Sequence, residues 1–527
     1  MKKLLLIIFL ILGLFSFSEA ATYYIKNGGS DVADGLSDAN AWATINKVNT
    51  SSFIAGDSIL FKKGSTWREQ LTVPSSGSSG NPITFGSYGS GANSVISGAD
   101  LISTWTAESA NLYYATYLTV PNTLTYDRNW GVKKTNKTDM SVTGDWWVDV
   151  PNTRIYLYTT AGDPDNVYTT PGVEAGVRNK VLDGTSRSYI TYQNLTFLHA
   201  NSVSAEMASI KSNLSGIIVD SCTFQFGAQN GVFFNANSSL VKDSTFSYNG
   251  ALGIDVDSCD NSTVQDSEMS YNGKGGVYIG ALTPTADNNI LQRLTIHHNS
   301  DSGIKIDNSI GSIVQDSSSY SNTSNGLRYS NSTGAIFRRN KLYSNTANGI
   351  WVYSATATGN IYYNLIYSNG DAGIVVALGA PAINVFNNVM YNNTNAGLYI
   401  DDANTIVTTK NNIISTSTAL INIVSDVDQI QVLDNNLYYP TTGTPFNWKG
   451  TVKNFTDWKT ASGQDALSLN TDPLLVNPTT DFHLQSSSPA INTGTSVGLT
   501  QDYTSRPIQL TPDMGAYEYE IRRKEFR

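Results

Sequence analysis

Asn249-Gly-Ala-Leu-Gly253-Ile-Asp-Val256, Asn272-Gly-Lys-Gly-Gly276-Val-Tyr-Ile279 and Asn299-Ser-Asp-Ser-Gly303-Ile-Lys-Ile306 are three copies of one pattern. In each, an Asn is followed four residues later by a Gly, and the Gly by an apolar–polar–apolar run. The series continues through Asn322…Gly326, Asn345…Gly349, Asn369…Gly373 and Asn393…Gly397, and Gly231 precedes it. Its glycines step by 22, 23, 27, 23, 23, 24 and 24 residues. A fixed period in this range marks a solenoid.

Between the glycines lie three short alternating runs per repeat, such as Thr263-Val-Gln265, Met269-Ser-Tyr271 and Val277-Tyr-Ile279. They are too short for helices, and alternation with period two means strands with one set of side chains inward. Three strands per repeat of about 23 residues, each stacked on its counterpart, predict a parallel β-helix with rungs about 4.8 Å apart. The inward positions Phe246, Met269, Ile296, Leu342, Ile366 and Met390 stay apolar in register. The Asn column should hydrogen-bond along the stack, and each Gly is expected to take a backbone conformation closed to most residues.

The chain has 527 residues, a net charge of −10 and only 14% charged residues. This balance argues against nucleic acid as a partner and leaves a glycan open. Residues 1–20 read as a secretory leader: Lys2-Lys3, an apolar run from Leu4 to Phe17, then Ser18-Glu-Ala20. No other long apolar stretch follows, so a soluble, secreted or periplasmic monomer with no membrane span is expected. Cys222 and Cys259 fall in different phases of adjacent repeats and are expected to stay as separate buried thiols. With four His and no paired-Cys motif, a zinc site has no support.

Residues 21–104 should form the N-terminal cap and first coils. A helix is expected over Asp38–Asn49, capped by Ser37 or Asp38, with Trp42, Ile45 and Val48 on one face to close the first coil. Residues 105–175 break the repeat with an aromatic, β-rich excursion (Trp105, Tyr113, Tyr114, Trp130, Trp146, Trp147). Packing explains those rings more simply than a sugar site does. The coils run over 176–440, and residues 441–527 should cap the open C-terminal end.

Tyr23-Tyr-Ile-Lys-Asn-Gly-Gly-Ser-Asp31, Ala41-Trp-Ala-Thr-Ile45, Gly56-Asp-Ser-Ile-Leu-Phe-Lys-Lys-Gly64 and Gly80-Asn-Pro-Ile-Thr-Phe-Gly86 resemble the N-terminal part of secreted bacterial right-handed parallel β-helix proteins. That is the pectin-lyase-like superfamily, with its polysaccharide lyases. Asp472-Pro-Leu-Leu475, Asp481-Phe-His-Leu484, Ser488-Pro-Ala-Ile-Asn-Thr-Gly494 and Asp513-Met-Gly-Ala-Tyr-Glu-Tyr519 resemble their closing segment. The resemblance implies an all-β right-handed parallel β-helix. It leaves the chemistry open, because the superfamily also hosts hydrolases, epimerases and adhesive proteins.

Because the glycines set the phase, outward columns can be read directly. Two residues past each Gly stand Phe233, Asp255, Tyr278, Lys305, Arg328, Trp351, Val375 and Tyr399. Two further on, Asp257, Asp307, Tyr353 and Asp401 share the same face. Acids, two cations and aromatic rings along one groove suit a glycan, with Tyr278, Trp351, Tyr353 and Tyr399 as stacking surfaces and His297 as a further contact. Lys305 and Arg328 lie one rung apart, and a second cation so close favours the neutral amine, a proton acceptor. Lys305 as base and Arg328 as carboxylate neutraliser would serve β-elimination on a uronate polymer. The resemblance implies the same roles, since Lys/Arg pairs serve lyases of this superfamily.

Asp255, Asp257 and Asp307 offer the hard oxygen ligands that Ca²⁺ selects. An ordinary solvated ladder, with Lys305 paired to Asp255 or Asp307 across rungs, is the simpler alternative. Two other classes stay open. One is a glycoside hydrolase or epimerase, for which Asp257 and Asp307 sit two rungs apart, about 10 Å. The other is a non-catalytic glycan-binding or adhesive surface protein.

Overall fold

The computed structural model describes residues 19–519, apart from 205, 213–214, 281–284, 402–403, 417, 425–430 and 444. The expected leader, except its last two residues, and the charged tail lie outside this range.

Three sheets run the length of the molecule, each with fourteen strands among the described residues, all parallel except Thr451–Lys453, which closes one sheet antiparallel. One rung shows the plan. Ile254–Asp257 lies in wall C, Thr263–Gln265 in wall A and Glu268–Ser270 in wall B, before Val277–Gly280 returns to wall C one rung on. The pairing is in register: Ile254 faces Val277, then Ile304, Leu327, Ile350 and Ile374. This is the all-β parallel β-helix that the period predicts, of the right-handed kind that the resemblance implies. Phe246, Met269, Ile296, Leu342, Ile366 and Met390 all lie inside, none more than 1% exposed. Where that column breaks at Ser319, the hydroxyl donates to the Gly326 carbonyl and accepts from the Asn322 amide, so the buried polar atom is satisfied.

The Asn column is a continuous ladder. Asn249, Asn272, Asn299, Asn322, Asn345, Asn369 and Asn393 are buried, and each side-chain amide up to Asn369 donates to the next Oδ1 at 2.9–3.1 Å, while that of Asn393 donates to the Ile366 carbonyl. A second ladder, Asn340–Asn364–Asn388–Asn412–Asn436, holds the corner between walls A and B. The column glycines do not take the left-handed conformation expected of them. The left-handed residue is instead the one before each Asn, including Tyr248, Tyr271, His298 and Ser321 at φ 52–56°. The column positions exclude a side chain for another reason. A Cβ at Gly349 would sit 2.3 Å from Ile366 Cγ2 and 2.7 Å from the Gly373 carbonyl oxygen of the next rung.

The N-terminal helix is Ile45–Asn49, shorter than expected. Thr44 caps it, accepting from Lys47, while Asp38 is held by Lys62 and the Tyr88 hydroxyl. Trp42, Ile45, Val48 and Phe53 still close the core at this end. At the other end Phe455–Ser462 forms the cap, with Trp458 fully buried and its Nε1 donating to Asp465 at 2.7 Å. The closing segment does not cover that end. Residues 472–519 fold back along the outside of wall B, seating Leu475, Phe482, Leu484 and Met514 on Leu365, Val389, Ile413 and Leu437. Those outward apolar side chains need a cover.

The excursion forms a four-stranded and a five-stranded sheet over its own core, which includes Trp105, Trp146, Ile155 and Leu157. Cys222 and Cys259 are buried and unbridged. No helix among the described residues is long and apolar enough to cross a membrane.

Candidate functional site

Wall C brings the outward column together. Asp255 pairs with Tyr278, Tyr278 with Lys305, Lys305 with Arg328, Arg328 with Trp351, Trp351 with Val375, and Val375 with Tyr399. Among the described residues, two concave bays on this wall stand out. The N-terminal bay, about 370 Å³, is lined by Glu206, Asn230, Asp255, Lys274, Tyr278 and Lys305 among others. The C-terminal bay, about 360 Å³, is lined by Asn348, Trp351, Tyr353, Asp371, Val375, Asn395, Tyr399 and Asp401 among others.

In the N-terminal bay, Lys305 does not press against Arg328. Its ammonium donates to Asp301, four residues earlier on the turn into wall C. Burial raises the Asp301 carboxyl, and donors from Lys305 and Ser302 more than offset this and hold it below the usual range. Arg328 lies over the Trp351 ring, 5.3 Å from its centroid. The two cations are register neighbours drawn to different partners. Burial, then the charges of Asp307, Asp255 and Asp257, push the Tyr278 hydroxyl up to about 12. Tyr278 is therefore a protonated donor at neutral pH, within the fields of three carboxylates.

Those carboxylates do not form a ready calcium cage. Asp255 accepts from Asn230 at 2.9 Å, and Asp307 from Ser330 and Asn331 at 3.1 and 2.9 Å. Among the described residues no three His, Cys, Asp or Glu side chains converge where one ion could sit. His297 does not share the groove. It belongs to Thr295–His297 in wall B, stacked on Tyr320 at 5.0 Å, with Nε2 3.3 Å from Glu268 and Nδ1 2.8 Å from His298 Nδ1.

The C-terminal bay joins Trp351 and Tyr353, whose rings lie 4.6 Å apart at 50°, to a floor of Val375 and Ala377. Asp371 and Asp401 stand on its rim. The Tyr399 hydroxyl is pushed up by burial and then by the charges of Asp401 and Asp371.

Lys274, Asp301 and Asp371 were not singled out by the sequence pattern. All stand two residues before a column Gly, in a file that also holds Ser324 and Asn395. Scanning that file beside the one after the Gly would have found them.

Two family models match parts of the chain: a right handed beta helix region over residues 230–386, and a periplasmic copper-binding protein (NosD) over residues 312–462. The second stretch contains no His, no Cys and one Met, Met390, which is fully buried. It lacks the imidazole, thiolate and accessible thioether ligands that copper selects, so these residues do not fit a copper site. A search of curated proteins finds no match.

Among solved structures, the complex of XylC with xylose superimposes with a TM-score of 0.64 at 13% identity, covering 94% of this chain and 98% of that one. Pectate lyase Pel9A gives 0.44 at 14% identity, covering 96% and 98%. The Azotobacter vinelandii mannuronan C-5 epimerase AlgE6 A-module gives 0.43 at 12%, covering 79% and 91%. At such scores the last two share only a general likeness. The chain thus has a right-handed parallel β-helix fold.

Proposed function

We propose that this protein is exported and acts on a uronate-containing polysaccharide laid along wall C, cleaving it by β-elimination at Lys305 and Arg328. The observation that carries the reading is the register that lines Asp255, Tyr278, Lys305, Arg328, Trp351 and Tyr399 on one wall, rung after rung. A linear polymer can meet all of them at once. The leader-like residues 1–20 support export, and the xylose held by the XylC structure is consistent with a carbohydrate ligand.

In this mechanism a bound glycan displaces water, and the Lys305–Asp301 pair passes its proton to Asp301, since desolvation favours the neutral forms. Lys305 then takes the C5 proton of a uronate. The C–H electrons form the C4–C5 double bond as the C4–O bond breaks, while Arg328 balances charge building on the uronate carboxylate. Tyr278 gives its proton to the departing oxygen, and Asp301 returns one to Tyr278. A second reading, glycan binding without cleavage, is favoured by one observation: Asp301 already occupies Lys305 in the free protein.

Purified protein incubated with alginate, pectate and glycosaminoglycans should generate the ultraviolet absorbance of an unsaturated product, and Lys305→Ala should abolish it. Retention on a glycan gel without product would favour the binding reading. Undiminished product from Lys305→Ala would remove Lys305 from its role.

A further inference from the structure

Charge is distributed unevenly along wall C. In the segments 251–257, 274–280, 301–307 and 324–330 the wall carries Asp255, Asp257, Asp301 and Asp307 beside Lys274, Lys305 and Arg328. In 347–353, 371–377 and 395–401 it carries Asp371 and Asp401 and no Lys or Arg. The change of character falls between Arg328 and Trp351, which are adjacent rungs of one column.

We infer that the C-terminal bay receives an uncharged sugar residue and turns away a uronate, so the natural glycan carries acidic and neutral residues in one chain. This rests on the glycan reading above. The bay presents two faces to a sugar. Trp351 and Tyr353, tilted at 50° to each other over Val375 and Ala377, form an apolar trough for the C–H face of a pyranose ring. Asp371, oriented by the Asn395 amide that donates to it at 2.9 Å, and Asp401 supply carboxylate acceptors for hydroxyl groups, while the Asn348 amide is held by Asn325 at 3.0 Å. Neutral sugars are recognised by such a pairing of ring and carboxylate, because each carboxylate can accept from two hydroxyls.

A uronate in the same place would bring a third carboxylate toward two. The fields of Asp371 and Asp401 both reach the Tyr399 hydroxyl, so they overlap inside the bay. None of the described residues lining the bay is a Lys or an Arg. Arg328 lies across the Trp351 ring at the N-terminal edge, one rung away, about 4.8 Å. A glycan whose uronate meets Arg328 therefore extends into a bay that selects against the same charge. Specificity here comes from a repulsive element as much as an attractive one.

The test titrates the protein with a neutral hexasaccharide series (xylo-, cello- and manno-), with oligogalacturonate and oligomannuronate, and with a chain alternating uronate and neutral sugar. Binding at the bay is read from tryptophan fluorescence that is lost in Trp351→Ala. Asp371→Asn and Asp401→Asn, both conservative changes on an accessible rim, keep the test open if Trp351→Ala does not fold.

A neutral or alternating oligosaccharide is expected to bind at least about tenfold more tightly than a homo-uronate, and the double Asn variant should narrow that gap severalfold. A homo-uronate that binds the bay as tightly as the neutral series, with no change in the double variant, would overturn the inference. If homo-uronates are cleaved at Lys305 without any Trp351-dependent signal, the bay assignment fails and the lyase reading survives. If neutral oligosaccharides bind the bay but no uronate is cleaved, the reverse holds.

Discussion

The side-chain amide of Asn345 donates to Asn369 Oδ1 at 3.0 Å, and the backbone N–H of Asn345 reaches the same oxygen at 3.2 Å. The amide also donates to the Ser319 carbonyl at 3.0 Å. One side chain thus ties three rungs together inside a dry corner.

Asn345→Ala should therefore be costly. It removes the acceptor of the Asn322 N–H and side-chain amide, takes one donor each from Asn369 Oδ1 and the Ser319 carbonyl, and leaves a void, so a loss of about 3 kcal/mol is expected from the unfolding midpoint in denaturant. Ser300→Ala, on an exposed position of the same turn file, should stay within about 0.5 kcal/mol. Equal effects of the two changes would deny the ladder a structural role.

Gly349→Ala tests packing separately from backbone freedom. Its φ is not left-handed, so alanine is conformationally allowed, yet its Cβ would press on the Gly373 carbonyl and Ile366. The expected loss is about 3 kcal/mol, at the upper end for overpacking. Gly64→Ala, at φ 77° with open space around it, should cost about 1 kcal/mol through backbone strain alone. Thermal melts of both variants would reverse the argument if Gly64 proved the more sensitive.

Docking of the closing segment should weaken as pH rises. Burial raises the Glu518 carboxyl to about 7, with the charges of Asp513 and Asp502 adding to it and backbone donors opposing. Tyr363, Asp513 and Asp502 are the titratable groups facing it. A carboxyl raised in the folded state stabilises it fully below the ordinary value near 4.5, and that stability is lost as pH climbs through about 7. Melting midpoints should fall over that window, and Glu518→Gln should flatten the fall. An unchanged profile in Glu518→Gln would assign the effect to other groups.

Calcium alone should leave stability unchanged. Without three converging carboxylates among the described residues, millimolar Ca²⁺ or a chelator should not shift the melting midpoint, because a ligand stabilises only as far as it binds the folded state. A rise of several degrees would restore Asp255, Asp257 and Asp307 as a cage.

Tyr278→Phe should reduce turnover on a cleavable glycan by about a hundredfold with little change in binding, the size expected for losing a positioned proton donor. A KM effect with turnover unchanged would make Tyr278 a stacking surface only.

The period of the chain determined more than a fold class. Once an Asn and a Gly recur every 22 to 27 residues, each outward file is set, and 255, 278, 305, 328, 351, 375 and 399 must share a wall, as the pairing shows. That inference needs only the two-residue alternation of strands and stacking in register. What lay across a turn was not legible. The pairing of Lys305 with Asp301 depends on how the corner before Gly303 folds, and His297 lies on a wall that the groove never meets. The return of residues 472–519 along wall B, in place of the open end, follows from the outward Leu365, Val389, Ile413 and Leu437. Local sequence dictates repeat and phase because those are properties of neighbouring residues. Partners across corners and between distant segments are decided only when the chain closes on itself and its exposed apolar and charged groups find what will satisfy them.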